Sequence, residues 1–97
     1  MMATVRTHRY TLTPDQAEKF LAQRADLIGH WRAAGFELVE TRLYRLEDGT
    51  YLDIWRWASD EAMAKAFAGM GEVPLARATL GMTSDRSAVD GEMVDER

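Results

Sequence analysis

Apolar and polar positions alternate with a period of two in three segments of the chain, and such alternation predicts β-strands. The three segments are Thr4–Leu12, Phe36–Leu46 and Thr50–Trp57. Between the first two, apolar side chains recur at helical spacing, which predicts a helix from about Pro14 to Ala34. The apolar stripe of this helix consists of Phe20, Leu21, Leu27, Ile28 and Trp31.

Local signals predict both ends of this first helix. Thr13 is the expected N-cap, Pro14 occupies the first helical position, and Gln16 would complete a capping box with Thr13. Gly35 follows the last apolar position and predicts a helix end in the left-handed conformation.

A second helix is predicted to begin at Ser59-Asp60-Glu61, where a serine cap and two acids favour a helix N-terminus. Gly71 is predicted to end this helix. Its apolar stripe consists of Met63, Ala66, Phe67 and Met70. Pro74–Gly81 predicts a short third helix, and Arg86–Val94, broken near Gly91, predicts a last strand.

The predicted order of elements is βαββαβ with one extra helix, in a single domain that spans residues 1–97. An antiparallel sheet with its helices on one face is typical of this order, so we predict a ferredoxin-like α+β fold. Residues 95–97 are expected to form an acidic, weakly structured tail.

Asp48-Gly49 signals a two-residue hairpin turn, because both central positions of a type I′ turn need a positive φ. Such a turn pairs Glu47 with Thr50 and separates the two faces of the hairpin by chemistry. One face then carries Val39, Leu43, Leu52 and Ile54, and the other carries Glu40, Arg42, Tyr44, Tyr51, Asp53, Trp55 and Trp57. A three-residue turn with a bulge at Gly49 would shift the pairing by one residue and mix the two sets. We favour the first register because it keeps the sets apart.

The aliphatic face of the hairpin has no helix to cover it in this fold. Together with Val5, it would form an apolar patch larger than a stable monomer usually exposes. We therefore predict a homodimer in which two copies cover this sheet face for each other.

Composition narrows the classes of function. Hydrophobic residues make up 46% and charged residues 29% of the chain, which is typical of a folded protein and not of a disordered one. The net charge of −4 argues against nucleic acid as a partner, and no segment has the apolar length of a membrane span. Because cysteine is absent, disulfides and thiolate metal sites are excluded, and we expect a cytoplasmic protein.

The aromatic and polar face of the predicted sheet suggests a cavity beneath the helices. Flat aromatic walls with a few polar groups are typical of pockets for planar organic molecules. We expect the site for a small aromatic ligand to include Trp31, Asp53, Trp55, Trp57 and Phe67. The alternative is that the tryptophans only fill a core.

Arg24 lies in the middle of the apolar stripe of the first helix, where an unpaired charge is costly. It would form an ion pair with Asp53 or Glu40, or pack its stem while its head reaches water. Otherwise, Arg24 and Arg42 would form a binding clamp for an anion or a phenolate.

His8 is the ionisable side chain of the predicted cavity whose unperturbed pKa is about 6.5, so it can exchange a proton with a ligand near neutral pH. A structural role, satisfied by Asp53 or Tyr44, is the alternative. His30 is expected at the surface. The two histidines are 22 residues apart, which is not a metal-ligand spacing, and we predict no metal site.

The segment HRYTLTPDQAEKF, followed by a hairpin and then by IWRWASDEA, resembles the antibiotic biosynthesis monooxygenase family. The resemblance extends from about Thr4 to Met82, and its sharpest element is Trp57 at the end of the third strand, just before the Ser59 cap. It implies a dimeric α+β barrel. It also implies, as in several members, oxidation of phenolic or anthrone-like substrates without a cofactor.

The haem-degrading branch of that family has an asparagine on strand one and a tryptophan at the end of strand three beside the ligand, and a helix histidine that binds iron. By this resemblance His8 stands at the asparagine position and Trp57 matches the tryptophan. The iron-binding histidine is missing, because Ala66 and Phe67 occupy that helix face. Haem degradation is therefore disfavoured.

Three hypotheses remain. In the first, the chain is a cofactor-independent monooxygenase of a polycyclic phenol, with His8, Arg42 and Tyr44 as catalytic residues and Arg24 helping to hold a phenolate. In the second, the same pocket binds a ligand without turnover or serves a polyketide cyclase. In the third, the tryptophans fill the pocket and exclude any ligand.

Overall fold

The computed structural model describes residues 4–69 and 73–97, which contain four strands and three α-helices. In chain order these are β1 (Thr4–Thr11), α1 (Ala17–Ala33), β2 (Leu38–Arg45), β3 (Tyr51–Trp57), α2 (Asp60–Ala68), α3 (Pro74–Gly81) and β4 (Ser84–Glu92). A turn of 3₁₀ helix at Pro14–Gln16 precedes α1. None of these helices has the length and apolar character needed to cross a bilayer.

The strands form one antiparallel sheet in the order β2-β3-β1-β4. The two central strands are the first of each βαβ half, so the halves interleave as in a ferredoxin-like fold. The predicted ferredoxin-like α+β fold is thereby confirmed. The last strand begins at Ser84, two residues earlier than predicted, and continues through Gly91 without a break.

Helix ends agree with the sequence signals in two cases and differ in one. Gly35 has a φ of +84°, as predicted for the residue after α1. The Ser59 hydroxyl accepts a hydrogen bond from the Ala62 backbone N–H at 3.1 Å, so the predicted cap of α2 is confirmed. The capping box at Thr13 is wrong: the backbone carbonyl of Thr13 accepts the Gln16 N–H at 3.0 Å, and a 3₁₀ turn replaces the first helical turn.

The hydrophobic core lies between the sheet and the helices, and α1 contributes four buried residues to it. These residues are Phe20, Leu27, Ile28 and Trp31. Leu21, which was predicted in the same stripe, is 50% exposed. Helix α2 ends at Ala68 with Gly69 as its C-cap, whereas the predicted stripe residue Met70 and the predicted stop Gly71 lie outside the described residues.

The hairpin between β2 and β3 has a three-residue turn, so the predicted pairing of Glu47 with Thr50 is wrong. The Leu46 backbone N–H donates to the Thr50 carbonyl at 2.8 Å instead. Gly49 has a φ of +86°, but Asp48 does not have a positive φ. A type I′ turn needs positive φ at both central positions, and this turn supplies it at one.

The one-residue shift moves side chains of β2 to the opposite face of the sheet. Arg42 now pairs with Ile54 and Tyr44 with Leu52, whereas Leu43 pairs with Asp53. We call the face beneath the helices the helix-facing side, and it carries Thr4, Arg6, His8, Tyr10, Thr41, Leu43, Asp53, Trp55 and Trp57. The other face is the open side, and it carries Val5, Thr7, Arg9, Glu40, Arg42, Tyr44, Leu52, Ile54 and Arg56.

The open side mixes aliphatic side chains with a row of ion pairs. Glu40 contacts Arg42 and accepts a hydrogen bond from Arg56 at 2.7 Å. Arg56 also reaches Glu96 of the C-terminal tail at 3.2 Å. The predicted segregation of aliphatic from polar residues is therefore wrong, because the charged residues share this side with Ile54.

Candidate functional site

A cavity of about 70 Å³ lies between the helix-facing side and the helices. The strands supply four of its lining side chains, His8 and Tyr10 from β1 and Asp53 and Trp55 from β3. Each pair is two residues apart on one strand, so both members of the pair point to the same face. The sheet thus provides both the polar and the aromatic floor of the cavity.

The helices supply the roof of the cavity, which is mostly apolar. Helix α1 contributes Phe20, Arg24, Leu27 and Trp31. The second and third helices and the residue before β4 contribute Phe67, Ala76, Thr79, Leu80 and Thr83. Leu80 is 40% exposed, so the cavity meets the surface near the end of α3.

Asp53 is the centre of a buried hydrogen-bond network at one wall. Its carboxylate accepts from the Tyr10 hydroxyl at 2.8 Å and from the Trp55 indole N–H at 2.8 Å. Arg24 donates to it twice, from Nε at 3.0 Å and from Nη2 at 2.7 Å. The ion pair with Asp53 is therefore the alternative that the structure selects for Arg24, and we call these four residues the Asp53 hub.

The hub is a closed set of bonds. A carboxylate has about four lone-pair positions, and the hub fills them with four hydrogen bonds. The bidentate geometry is the strong form of an arginine–carboxylate pair. Burial and the neighbouring Asp53 charge both raise the pKa of Tyr10, so its phenol stays protonated at neutral pH.

His8 differs from the hub in having no protein partner. Its ring lines the cavity, and in residues 4–69 and 73–97 no side chain or backbone group is hydrogen-bonded to it. Burial lowers the pKa of His8 and outweighs the opposite effect of the Asp53 charge, while Arg6 lowers it further. His8 is therefore a neutral imidazole near neutral pH, with a free ring nitrogen that can accept a proton.

An ion pair between β1 and β4 lies outside the cavity lining, next to Phe67. Arg6 donates to the Asp90 carboxylate from Nε at 2.6 Å and from Nη2 at 2.9 Å. The same guanidinium lies over the Phe67 ring with 4.0 Å between its carbon and the ring centroid. Phe67 is thus held between Arg6 and the cavity.

The structure brings six of the predicted site residues to one cavity. These are His8, Arg24, Trp31, Asp53, Trp55 and Phe67. Arg42 and Tyr44 lie on the open side, because the register shift turned them away from the helices. They are placed on the opposite face of the sheet from His8, which removes the predicted Arg24 and Arg42 clamp.

Trp57 lies in the core and not in the cavity lining. It is 0% exposed and stacks on Trp55 with ring centroids 6.2 Å apart. Phe67 meets its edge at 5.7 Å. Among the described residues its indole N–H has no hydrogen-bond partner. His30 is exposed, as placed by the sequence.

Seven lining residues were not among the predicted site residues: Tyr10, Phe20, Leu27, Ala76, Thr79, Leu80 and Thr83. The period-two pattern of β1 was a usable signal for Tyr10, since it lies two residues after His8. Helical spacing likewise placed Phe20 and Leu27 on the buried stripe of α1. Nothing in the local sequence distinguishes Thr79 and Thr83 from threonines at a surface.

The chemistry available in this cavity is proton transfer by His8 beside aromatic rings. In the part of the chain that the structure describes, no three His, Asp or Glu side chains converge where a metal ion could be held. The cavity is small beside typical ligand pockets of about 300–1,000 Å³. It is also smaller than the roughly 150 Å³ of an apolar cavity that binds benzene, so even a single aromatic ring requires a lining side chain to move.

Comparison with known proteins identifies the fold. No protein-family model and no curated protein sequence matches the chain. Solved structures do match. SnoaB, a cofactor-independent oxygenase from Streptomyces nogalater, is 22% identical with a TM-score of 0.70, over 98% of this chain and 94% of that one.

Two further structures show the same similarity. A dimeric ferredoxin-like protein from an uncultured marine organism is 13% identical with a TM-score of 0.72, over 100% of this chain and 92% of that one. A protein named antibiotic biosynthesis monooxygenase is 16% identical with a TM-score of 0.69, over 95% and 99% of the two chains. The resemblance drawn from the sequence is therefore confirmed at the level of the fold.

Proposed function

We propose that this chain binds a small phenolic molecule in the cavity beneath its helices and oxidises it with O₂ without a cofactor. The observation that carries the proposal is His8, a neutral imidazole with no protein partner in the described ranges, facing an otherwise mostly aromatic and apolar cavity. The oxygenase from Streptomyces nogalater, which has the same fold and is named as cofactor-independent, supports the reaction class.

The proposed reaction begins with a proton transfer. His8 accepts the proton of the substrate hydroxyl, and the resulting phenolate is electron-rich enough to pass an electron to O₂. For a monocyclic hydroquinone, O₂ takes two electrons and the two hydroxyl protons and leaves as hydrogen peroxide, while the ring becomes the quinone. For an anthrone, one O₂ is consumed, one of its oxygen atoms becomes the new carbonyl, and the other leaves as water with the two hydrogens of the ring CH₂ group. The aromatic walls keep bulk water from the phenolate and the His8 imidazolium, which strengthens their attraction.

The Asp53 hub has a positioning role in this proposal. It fixes the Tyr10 ring and the Trp55 indole by hydrogen bonds, so both present a defined surface to the substrate. Because Asp53 already balances the charge of Arg24, the phenolate is paired with the His8 imidazolium and not with an arginine.

Substrate size follows from the 70 Å³ cavity. Even a monocyclic phenol requires a lining side chain such as Leu80 to move, because a cavity that holds benzene has a volume of about 150 Å³. A tricyclic anthrone requires a much larger movement. We therefore propose a single-ring phenol as the preferred substrate in place of the polycyclic one expected from the sequence.

A homodimer through the open side is part of the proposal. Leu52 and Ile54 lie there without a helix above them, and Tyr44 is 45% exposed. One solved structure of the same fold is named as dimeric. Light scattering should give twice the 11.0 kDa mass of the chain. Ile54→Lys should return the mass to that of one chain, and an unchanged mass would refute the proposed interface.

Oxygen consumption with a monocyclic hydroquinone and with an anthrone tests the enzymatic proposal. We expect His8→Asn to lower the rate by a factor on the order of 10²–10⁴, the usual contribution of a general base. His30→Asn is the matched control, since His30 is an exposed histidine of the same chain, and should leave the rate unchanged. Equal rates for the two variants would contradict the role of His8.

Ligand binding without turnover is the second candidate. It is favoured by the closed Asp53 hub, which leaves His8 as the one lining side chain of the described residues poised for proton transfer. This function would be established if a phenol quenches tryptophan fluorescence and no oxygen is consumed. His8→Asn would then change only the affinity for the phenol.

A further inference from the structure

The polar hydrogens of the cavity lining are largely committed to acceptors within the protein. Tyr10 and Trp55 both donate to Asp53 at 2.8 Å. The Thr79 hydroxyl donates to the Leu75 carbonyl at 2.7 Å, and that of Thr83 donates to the Leu80 carbonyl at 2.6 Å. A ligand therefore meets hydroxyl oxygens whose hydrogens point elsewhere. The donors left in the lining are the single N–H of the neutral His8 ring, whose other nitrogen is an acceptor, and the N–H groups of Arg24 that Asp53 does not use.

The charges around the cavity cancel in pairs. Arg24 and Asp53, whose side chains are 12% and 6% exposed, form a bidentate pair. The N–H groups of Arg24 that remain belong to a guanidinium whose charge Asp53 already balances. Arg6 and Asp90 form a second pair outside the lining, behind Phe67. With His8 neutral near neutral pH, the charges of the lining side chains, Arg24 and Asp53, sum to zero. Arg86 lies outside the lining, where its guanidinium donates to the Leu80 and Thr83 carbonyls at 2.8 and 3.1 Å.

We infer that this cavity selects an electrically neutral aromatic ligand that donates a hydrogen bond, namely a protonated phenol, over the same ring bearing a carboxylate. His8 and Tyr10 offer acceptor positions for the donated hydrogen. An anion would leave water without gaining a free cation, and taking Arg24 from Asp53 would strand a buried carboxylate. The inference rests on the proposed function only in taking this cavity as the ligand site.

Three ligands of matched ring size test this selection in the intact protein. They are para-fluorophenol, para-fluoroanisole and para-fluorobenzoate, titrated near neutral pH and followed by fluorine NMR. A net hydrogen bond changes affinity by about 3- to 10-fold, so we expect the phenol to bind tighter than the anisole by that factor. Saturable binding of the benzoate is expected to be absent.

Variants connect the selection to His8. His8→Ala should lower the affinity for the phenol to that for the anisole, while the affinity for the anisole stays the same. His8→Gln, which restores an acceptor, should recover part of the difference. His30→Ala is the matched control and should bind all three ligands as the unaltered chain does.

Several outcomes would overturn the inference. Benzoate binding as tight as phenol binding would show that the cavity accepts an anion. Equal affinities for phenol and anisole would show that no hydrogen is donated, and no binding of any ligand would show that the cavity is not a site. This assay measures binding and involves no turnover. A finding that the protein does not oxidise phenols would therefore leave the binding preference unaffected.

Discussion

The two sides of the sheet carry carboxylate–arginine contacts of the same chemistry in opposite surroundings. On the helix-facing side Asp53 is 4% exposed and is bonded to three side chains. On the open side Glu40 bridges Arg42 and Arg56, and the Arg42 side chain is 62% exposed. The first set forms a closed unit, whereas the second is an open row that ends at the tail residue Glu96.

The degree of burial determines how much each set of ion pairs contributes to the stability of the fold. A carboxylate withdrawn from water is tolerated only when its lone pairs and charge are satisfied, so removing one partner is costly. A carboxylate at the surface is solvated whether or not its partner is present. The inner set therefore acts as a structural and electrostatic unit beneath the ligand, and the outer set remains free to rearrange when a second copy covers the open side.

Asp53→Ala is the sharpest test of this contrast. It leaves the Arg24 charge without a partner inside the protein and should lower the free energy of unfolding by about 3–5 kcal/mol. Urea denaturation followed by circular dichroism, at a fixed protein concentration, measures the change. Glu40→Ala on the open side is the comparison and should lower the denaturation midpoint less, because the Glu40 side chain is 33% exposed and Arg56 keeps its contact with Glu96.

The double variant Arg24→Leu with Asp53→Leu separates charge from packing. Since it strands no charge, it should be less destabilised than Asp53→Ala. If Asp53→Ala and Glu40→Ala had equal effects, the contrast between the two sides would be lost.

Gly49→Ala tests the turn that decides which residues of β2 lie on each side. The φ of +86° at this position penalises a side chain although no atom lies within 4 Å of the added carbon. We expect a loss of about 1–2 kcal/mol in the free energy of unfolding, again from urea denaturation. Gly29→Ala, in the exposed face of α1 with equal space, should instead stabilise by up to about 1 kcal/mol. Stabilisation by both substitutions would contradict the observed turn.

The sequence was sufficient for the elements but not for the hairpin register. Periodicity and local caps placed the helices and strands, because those signals act over a few residues, as the Ser59 cap shows. Asp48-Gly49 is compatible with turns of two and of three residues, and the choice between them depends on tertiary packing. One residue of shift was enough to carry Arg42 and Tyr44 to the open side.

The candidate site was predictable in part for the same reason. Helical angle showed that Arg24 faces the core, but angle gives a direction and not a distance, so the ion pair with Asp53 stayed one of several alternatives. The threonines of the lining, Thr79 and Thr83, reach the cavity only through the packing of α3 against α1 and the sheet. Long-range packing of this kind has no local signature.

The smallest expected effect comes from the titration of His8 in the interior. It is a change in how the free energy of unfolding depends on pH. Burial lowers the pKa of His8 in the folded protein below the ordinary value of 6.5. The unfolded chain therefore binds the proton first as the pH falls, so this contribution to stability is complete above about pH 6.5 and declines below it.

Between about pH 5 and 7 carboxylates titrate little, so the histidines dominate any slope there. We expect His8→Asn to flatten the fall in the free energy of unfolding across this window, measured by urea denaturation at closely spaced pH values. If the slope in His8→Asn equals that of the unaltered chain, the lowered pKa of His8 is contradicted, and with it the neutral imidazole on which the proposed proton transfer depends.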